Sequence, residues 1–430
     1  MAGIWIRDGQ CIDPATGRVA QRDVYVVDGL LQPRPSDHEL RAAREIDAAG
    51  CIVMPGAIDV HVHLREPGGE AAETIASGAA AALRGGVTGV VAMPNTQPPI
   101  DTPERVAYVI QQGQAAGAAR VWTTACLTVG RAGRAVAPLA DMAHAGAVAF
   151  TDDGATVQDD AVMRTAMREA ARLNLPVMDH AQDRVIECLG GVMHDGPAAR
   201  ARGVPGIPAE AEWRIVARDI RLAEETGCAV HIQHVSCGHS VDLIADAQQR
   251  GVRVTAEATP HHLWFTDEEV DIERPDRFKM NPPLRTSADR DRLREGVQEG
   301  VLTILATDHA PHSQVAKARG FLDAPFGVIG LETALAATYT RLVQPGHLSA
   351  LHWVQAWTTH PARLLGRSPP SLADGQPADV VVFDPKRTWT VRAEASVSRS
   401  QNSCFDSCAL NGYPCAVILN EHCLINDWSP

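Results

Sequence analysis

Residues 56–64 read GAIDVHVHL, a short β-rich run in which His61 and His63 stand two apart. Successive side chains of a strand point to opposite faces, so both imidazoles share one face. A lone strand histidine is usually a packed, hydrogen-bonded residue, and an HxH pair alone is balanced between packing and metal ligation. The surroundings decide. Between about residues 53 and 365, short apolar runs at 87–93, 175–178, 228–235, 252–256 and 302–306 alternate with alanine-rich stretches of helical length. That alternation predicts an α/β fold with a parallel sheet, either doubly wound or closed. The span fits a (β/α)8 TIM-type barrel with insertions.

Polar residues recur where these runs end. His180 closes LPVMDH (175–180), His234 follows AVHIQ (229–233), and Asp308 follows LTILAT (302–307). FTDDG (150–154) sets Asp152 and Asp153 at the end of another run. With His61 and His63, five strand ends carry metal-type ligands, and barrel active sites are built at C-terminal strand ends. Two aspartates before a glycine more often make a turn than a ligand pair. Packing alone, however, would have to hide imidazoles and carboxylates repeatedly at one barrel mouth, which is costly. The donors are nitrogen and oxygen without sulfur, which suits Zn²⁺, with Mn²⁺, Co²⁺ or Fe²⁺ as alternatives. His231 is out of phase with His234, so at most one of them points into the mouth. His234 is the choice because it lies nearer the strand end.

The chain ends have a different texture. IWI (4–6) and VYVV (24–27) are β-rich, and Asp8-Gly9 and Asp28-Gly29 read as hairpin turns; DVVVF (379–383) and AVIL (416–419) repeat the pattern. Both ends can therefore pair into one small β domain. The 430 residues carry 45% apolar side chains, enough for a sizeable core, and a net charge of −13. Net acidity without a lysine-rich run argues against nucleic acid or an anionic membrane as partner. No stretch approaches the roughly 20 apolar residues of a spanning helix. Residues 1–7 lack the pattern of a signal peptide. Ten scattered cysteines form no secreted disulfide framework. A cytoplasmic enzyme is the expectation. Lysine is scarce: only Lys279, Lys317 and Lys386 occur, and arginine supplies the other basic residues. Codon usage in a GC-rich genome accounts for that scarcity, yet it leaves few places for a catalytic lysine.

The motifs DVHVHLREPG (59–68), MPNT (93–96), TDDG, HVS, TPHHL (259–263), KMNPPLR (279–285), ATDHAPH (306–312) and APFGVIGLET (324–333) together resemble the type I dihydroorotases of the amidohydrolase superfamily. The resemblance runs in family order across nearly the whole chain. It implies a barrel at 53–365 and a small β-sandwich domain built from 1–52 and 366–430. By the same resemblance, His61, His63, Asp153, His180, His234 and Asp308 match metal-ligand positions holding one or two Zn²⁺ ions. Many relatives bridge two metals with a carboxylated lysine. Here no lysine precedes Lys279, and Asp153 resembles the bridge.

The implied activity is the reversible cyclisation of N-carbamoyl-L-aspartate to (S)-dihydroorotate, the third step of UMP biosynthesis. Asp308 is then the proton shuttle. Arg65, Asn95 and His312 resemble carboxylate contacts, Asn281 a ring contact, and Phe326 and Gly327 part of a loop meeting the substrate through its backbone. The plain alternative for Arg65 is an ion pair with Glu66 or Glu70, and for Asn95 a turn. Asp152, Glu257, His261, His262 and His309 are expected to support the site. Two rivals are an allantoinase or other cyclic-amide hydrolase, in which Asn typically replaces Arg65, and an inactive scaffold for aspartate transcarbamoylase. Scaffolds of that kind typically lose ligands that are all present here. Homodimerisation and association with aspartate transcarbamoylase are both compatible with an active enzyme. The stretch 398–412 (SRSQNSCFDSCALNG) departs most from the family, with Ser407 and Cys408 in place of a Gly-aromatic pair. Cys404, Cys408, Cys415 and Cys423 form no CxxC pair and are expected to be unpaired thiols.

Overall fold

In the computed structural model, which describes residues 3–186 and 190–425, the GAIDVHVHL stretch forms the strand Ala57–Val62. Met1, Ala2, Cys188 and residues 426–430 lie outside the described residues, so the reading of the first residues as lacking a leader falls partly outside them. Ala57–Val62 pairs in parallel with Val87–Ala92, which pairs in parallel with Arg120–Thr123. A four-stranded parallel sheet continues the order through Val177–Asp179, Val230–Ile232, Val254–Ala258 and Ile304–Leu305. Parallel bridges join the two sheets at both sides. Phe150 bridges Ala125 and Val177, and Val62 bridges His309, with His63 N–H donating to His309 C=O at 2.8 Å. The hydrogen bonding therefore runs in a closed parallel circuit. The segment before TDDG joins the circuit from Val148 to Thr151, with Val148 N donating to Thr123 C=O at 3.0 Å and Ala125 N to Ala149 C=O at 3.0 Å.

Helices separate these strands because apolar residues there recur at helical spacing. In Asp160–Arg172 the buried face is Met163, Ala166, Met167 and Ala170, and the Asp159 carboxylate caps the start by accepting from Ala161 N at 2.7 Å. Pro103–Ala116 opens with proline at its first turn and ends at Gly117, whose φ of 61° is the left-handed cap glycine takes without strain. No described helix is long and apolar enough to cross a membrane.

The two chain ends share one eight-stranded sheet. Asp379–Thr390 is the join, antiparallel to Ile52–Pro55 on one side and to Ala409–Leu419 on the other. Apolar residues from both ends, including Ile6, Val24, Val380, Val382 and Ile418, form its own buried cluster. Asp28-Gly29 makes the expected turn between Arg18–Val27 and Leu30–Gln32. Asp8-Gly9 does not: it lies inside the strand Ile4–Asp13, where the register shifts between Ile6 and Gly9. A positive φ at Asp8 (56°) serves a bulge as well as a turn. The hairpin instead closes after Asp13, whose carboxylate accepts from Ala15 N at 3.1 Å and Thr16 N at 3.3 Å. Ser407 takes φ 69°, the left-handed region that a glycine adopts without cost, so the family departure there carries backbone strain.

Gly56 marks the passage from the terminal sheet to the circuit. A Cβ there would lie 2.0 Å from both Asp379 Oδ1 and Thr88 Oγ1. Gly56→Ala is expected to lower stability by about 1–3 kcal/mol through overpacking. A urea midpoint equal to that of the unchanged protein would contradict this.

Candidate active site

Each candidate ligand sits just beyond the C-terminal end of a circuit strand or in its last residues, so the parallel order brings them together. The ligand atoms of His61, His63 and Asp153 lie within 4.8 Å of one another, and so do those of Asp153, His180 and His234. Asp153 is common to both trios, and all five side chains are buried. Asp308 joins them, its Oδ1 3.0 Å from His63 Nε2 and 3.4 Å from His61 Nε2. Asp152 does not. It turns away and holds Thr128 through the backbone N–H at 3.1 Å and the hydroxyl, the supporting role expected of it.

The rings are aimed from behind. Glu257 Oε1 lies 2.6 Å from His61 Nδ1 and accepts from His234 N at 3.0 Å, while its Oε2 meets His231 Nε2 at 2.9 Å. His231 is thus the residue that holds the holder, and His234 is the one of the pair in the mouth. Asn95 Oδ1 meets His63 Nδ1 at 2.9 Å and its amide donates to Asp153 Oδ2 at 2.9 Å. Its amide thus touches two candidate ligands, and Asn95 also lines the pocket. Gln182 Oε1 accepts from His180 Nε2 at 2.9 Å and from Asn281 Nδ2 at 2.7 Å. His262 fixes the neighbouring backbone by donating to Pro282 C=O at 3.0 Å. His309 is tied to Glu73 at 3.3 Å, and His261 packs against His262 with its Nε2 lacking a partner among the described residues. Gln182, His231 and Glu73 were not singled out as supports from sequence, because each is chemically ordinary until the fold sets it behind a ligand.

The electrostatics follow from burial. Desolvation opposes charge on His61, but Glu257 and Asp308 outweigh it and hold that imidazole well above its usual range. Desolvation also opposes charge on Asp153, yet His63, His61 and His180 hold its carboxyl well below its usual range. His234 goes the other way: burial, then His180 and His61, keep it neutral. Glu257 resists its own burial through His61 and His231 and falls to about 2. The residues fit a divalent cation on two further counts. His234 Nε2 faces His180 Nδ1 at 2.8 Å, so two imidazole nitrogens converge beside Asp153. Converging imidazoles and carboxylates with no thiolate form a donor set for a borderline or hard cation.

Arg65, Asn95, Asn281, His312, Phe326 and Gly327 line one pocket of about 200 Å³ together with His63, Asp153, His180, His234 and Asp308. His61 lies fully buried beneath it. The Arg65 guanidinium donates to Pro311 C=O at 3.1 Å and meets His312 Nε2 at 3.2 Å. Among the described residues Arg65 forms no ion pair with Glu66 or Glu70. Glu66 serves Tyr108 and Ile75 N–H, and Glu70 serves Gly68 N–H. Burial lowers Arg65 to about 10, so it stays charged near neutrality. His312 is held neutral by burial and by Arg65. Three site residues sit in the left-handed region: Arg65 (φ 60°), His234 (31°) and Asp308 (47°). Such backbone costs on the order of 1–3 kcal/mol per residue and gathers at functional sites.

The fold is shared with an L-hydantoinase (dihydropyrimidinase) from Arthrobacter aurescens, which superposes with TM-score 0.86 over 100% of this chain and 97% of its own, at 24% identity. At that identity the likeness concerns the fold alone. Sequence narrows it. The family profile described as "Dihydro-orotase-like" matches residues 50–240. A dihydroorotase from Pelotomaculum thermopropionicum is 43% identical over 98% of each chain, and one from Geobacillus kaustophilus 40% identical over 96% of each. The chain belongs to the dihydroorotase family of the amidohydrolase superfamily.

Glu257→Gln keeps the shape but removes the charge that aims His61. Metal affinity is expected to fall about 10–100-fold, as for other outer-shell partners, measured by competition with a metal buffer. Unchanged affinity in a folded variant would show that Glu257 does not orient the ligand.

Proposed function

We propose that the protein is a dihydroorotase of pyrimidine biosynthesis, interconverting N-carbamoyl-L-aspartate and (S)-dihydroorotate. One observation carries the reading: two buried ligand trios share Asp153 and open onto the same pocket as an arginine with no carboxylate partner among the described residues. Family membership at about the same identity along nearly the full chain supports it.

His61, His63, Asp153, His180, His234 and Asp308 are proposed to hold one or two divalent ions, Zn²⁺ by the donor set, with Asp153 as the bridge. When bound, such an ion supplies Lewis acidity, acidifying water and polarising a carbonyl oxygen. In hydrolysis, Asp308 takes a proton from the attacking water, the ring C–N bond breaks, and Asp308 returns the proton to the departing nitrogen. General acid–base help of this kind contributes roughly 10²–10⁴-fold. Arg65 forks onto the substrate carboxylate through charge-assisted hydrogen bonds, with His312 beside it. Asn281 is proposed to meet the ring, as is backbone at Phe326 and Gly327. Asn95 orients His63 and Asp153 in addition to any contact with the carboxylate.

The finer architecture belongs to the same reading. The closed parallel circuit is taken as a (β/α)8 barrel spanning 53–365, and the terminal sheet, folded over its own core, as a β-sandwich from 1–52 and 366–430. We assign the protein to the cytoplasm, with homodimerisation and association with aspartate transcarbamoylase as proposals open to sedimentation and copurification. Arg65 argues against an allantoinase, whose substrate lacks this carboxylate. Hydrolysis of allantoin or hydantoins with dihydroorotate untouched would overturn the choice.

Asp308→Ala is expected to lower kcat by at least about 10²-fold while metal content stays unchanged; near-normal turnover would remove the shuttle. Arg65→Met is expected to lower kcat/KM for dihydroorotate by about 10²-fold, because charge-assisted hydrogen bonds to the carboxylate are lost. An unchanged kcat/KM would count against that contact.

A further inference from the structure

Two of the chain's three lysines, Lys279 and Lys317, are each only 2% exposed. Neither ammonium forms an ion pair among the described residues; both spend their donors on backbone. Lys279 Nζ donates to Leu322 C=O at 2.8 Å and lies 4.7 Å from the Phe326 ring centroid and 5.9 Å from that of Phe321. Lys317 Nζ donates to Pro325 C=O at 2.9 Å and to Lys279 C=O at 3.1 Å. Lys279 C=O also accepts from Gly327 N at 2.9 Å. The segment 320–327 is thereby wrapped around one buried cation and tied to a second.

The position of that segment explains the need. On one side, Phe326 and Gly327 line the site pocket of about 200 Å³; on the other, Gly320 and Lys317 line a separate cavity of about 770 Å³, and His312 lines both. Phe321 and Ala324 anchor the segment by burial, while the stretch at Phe326 and Gly327 borders the pocket and is held by hydrogen bonds. Asn402 adds a third tie by donating to Ala310 C=O at 3.1 Å and Gly327 C=O at 3.0 Å.

We propose that Lys279 and Lys317 are positioning residues that clamp the 320–327 segment so that Phe326 and Gly327 present their backbone to the substrate. The proposal rests on the reading that this loop meets the substrate. Charge-assisted hydrogen bonds and the flanking π faces supply the clamp, and desolvation is its cost. Burial accordingly lowers Lys279 to about 8 and Lys317 to about 7. Asp323 faces Lys279; Lys279, Asp276, Arg65 and Cys404 face Lys317.

The test uses the metal-loaded protein and its Lys279→Met and Lys317→Met variants, with an arginine-specific protease that cuts after the exposed Arg319. The clamp predicts that either variant is cut after Arg319 about tenfold faster, other arginine sites being unchanged, as expected for loss of about 1.4 kcal/mol of local stability. It also predicts a KM for dihydroorotate raised about tenfold with kcat within about threefold and metal content unchanged. A folded, metal-loaded variant with the parent cleavage rate and KM would overturn it. A second measurement needs no variant: amides of 320–327 in the unchanged protein should exchange at least about 10²-fold more slowly than an unstructured chain, and free exchange would equally overturn the clamp. If the unchanged protein leaves dihydroorotate untouched, the functional reading fails by itself, and cleavage and exchange still decide the clamp.

Discussion

The carboxylate of Asp153 is the group on which the rest of the site depends. It is 3% exposed and shared by two trios of ligand atoms, so its charge must be answered from within the protein. A buried carboxylate is tolerable only when cationic or hydrogen-bonding groups converge on it. Here His61 and His63 do so from the end of one strand and His180 from the end of another in the parallel circuit. That convergence requires the strand ends to meet at one mouth. It also explains why so much of the surrounding chain serves to aim rings rather than to meet solvent.

The aiming groups form a second layer in which neutral and charged partners are divided by position. Glu257 holds His61 and is held by His231, while Asn95 and Gln182 hold His63 and His180 without adding charge. Charge beneath the site favours a cation within it; neutral amides above leave the pocket free for an anionic substrate facing Arg65. Glu212 secures the turn after His234 in the same way, accepting from Ser236 N at 3.1 Å and Cys237 N at 3.2 Å. Positive φ at Arg65, His234 and Asp308 is sustained by these surroundings, since no local preference would choose it.

The terminal sheet is more than an appendage. The departing stretch after its central strand returns to the site end of the parallel circuit, where Ser398 meets Glu73 and Asn402 ties Ala310 to Gly327. A chain end far away in sequence thereby helps position the loop that lines the site pocket. The motif ending was recognisable as family-like, but the task of Asn402 was not, because its partners are backbone carbonyls without any residue signature.

The sequence by itself determined the alternation of strands and helices, the polar residues at the strand ends and the lack of any lysine before Lys279. These are legible because residue type and spacing carry them: period two for HxH, apolar runs for buried strands, and no lysine before Lys279. Asp8-Gly9 was misread for a related reason, since the same dipeptide conformation serves bulge and turn, and pairing decides which. Only the tertiary structure decided that Asp152 faces away while Asp153 faces in, that His231 acts through Glu257, and that two lysines lie buried against a loop. Each of these depends on which backbone or carboxylate lies across a contact between residues distant in the chain. Such contacts are set by packing of the whole circuit, and no local pattern encodes them.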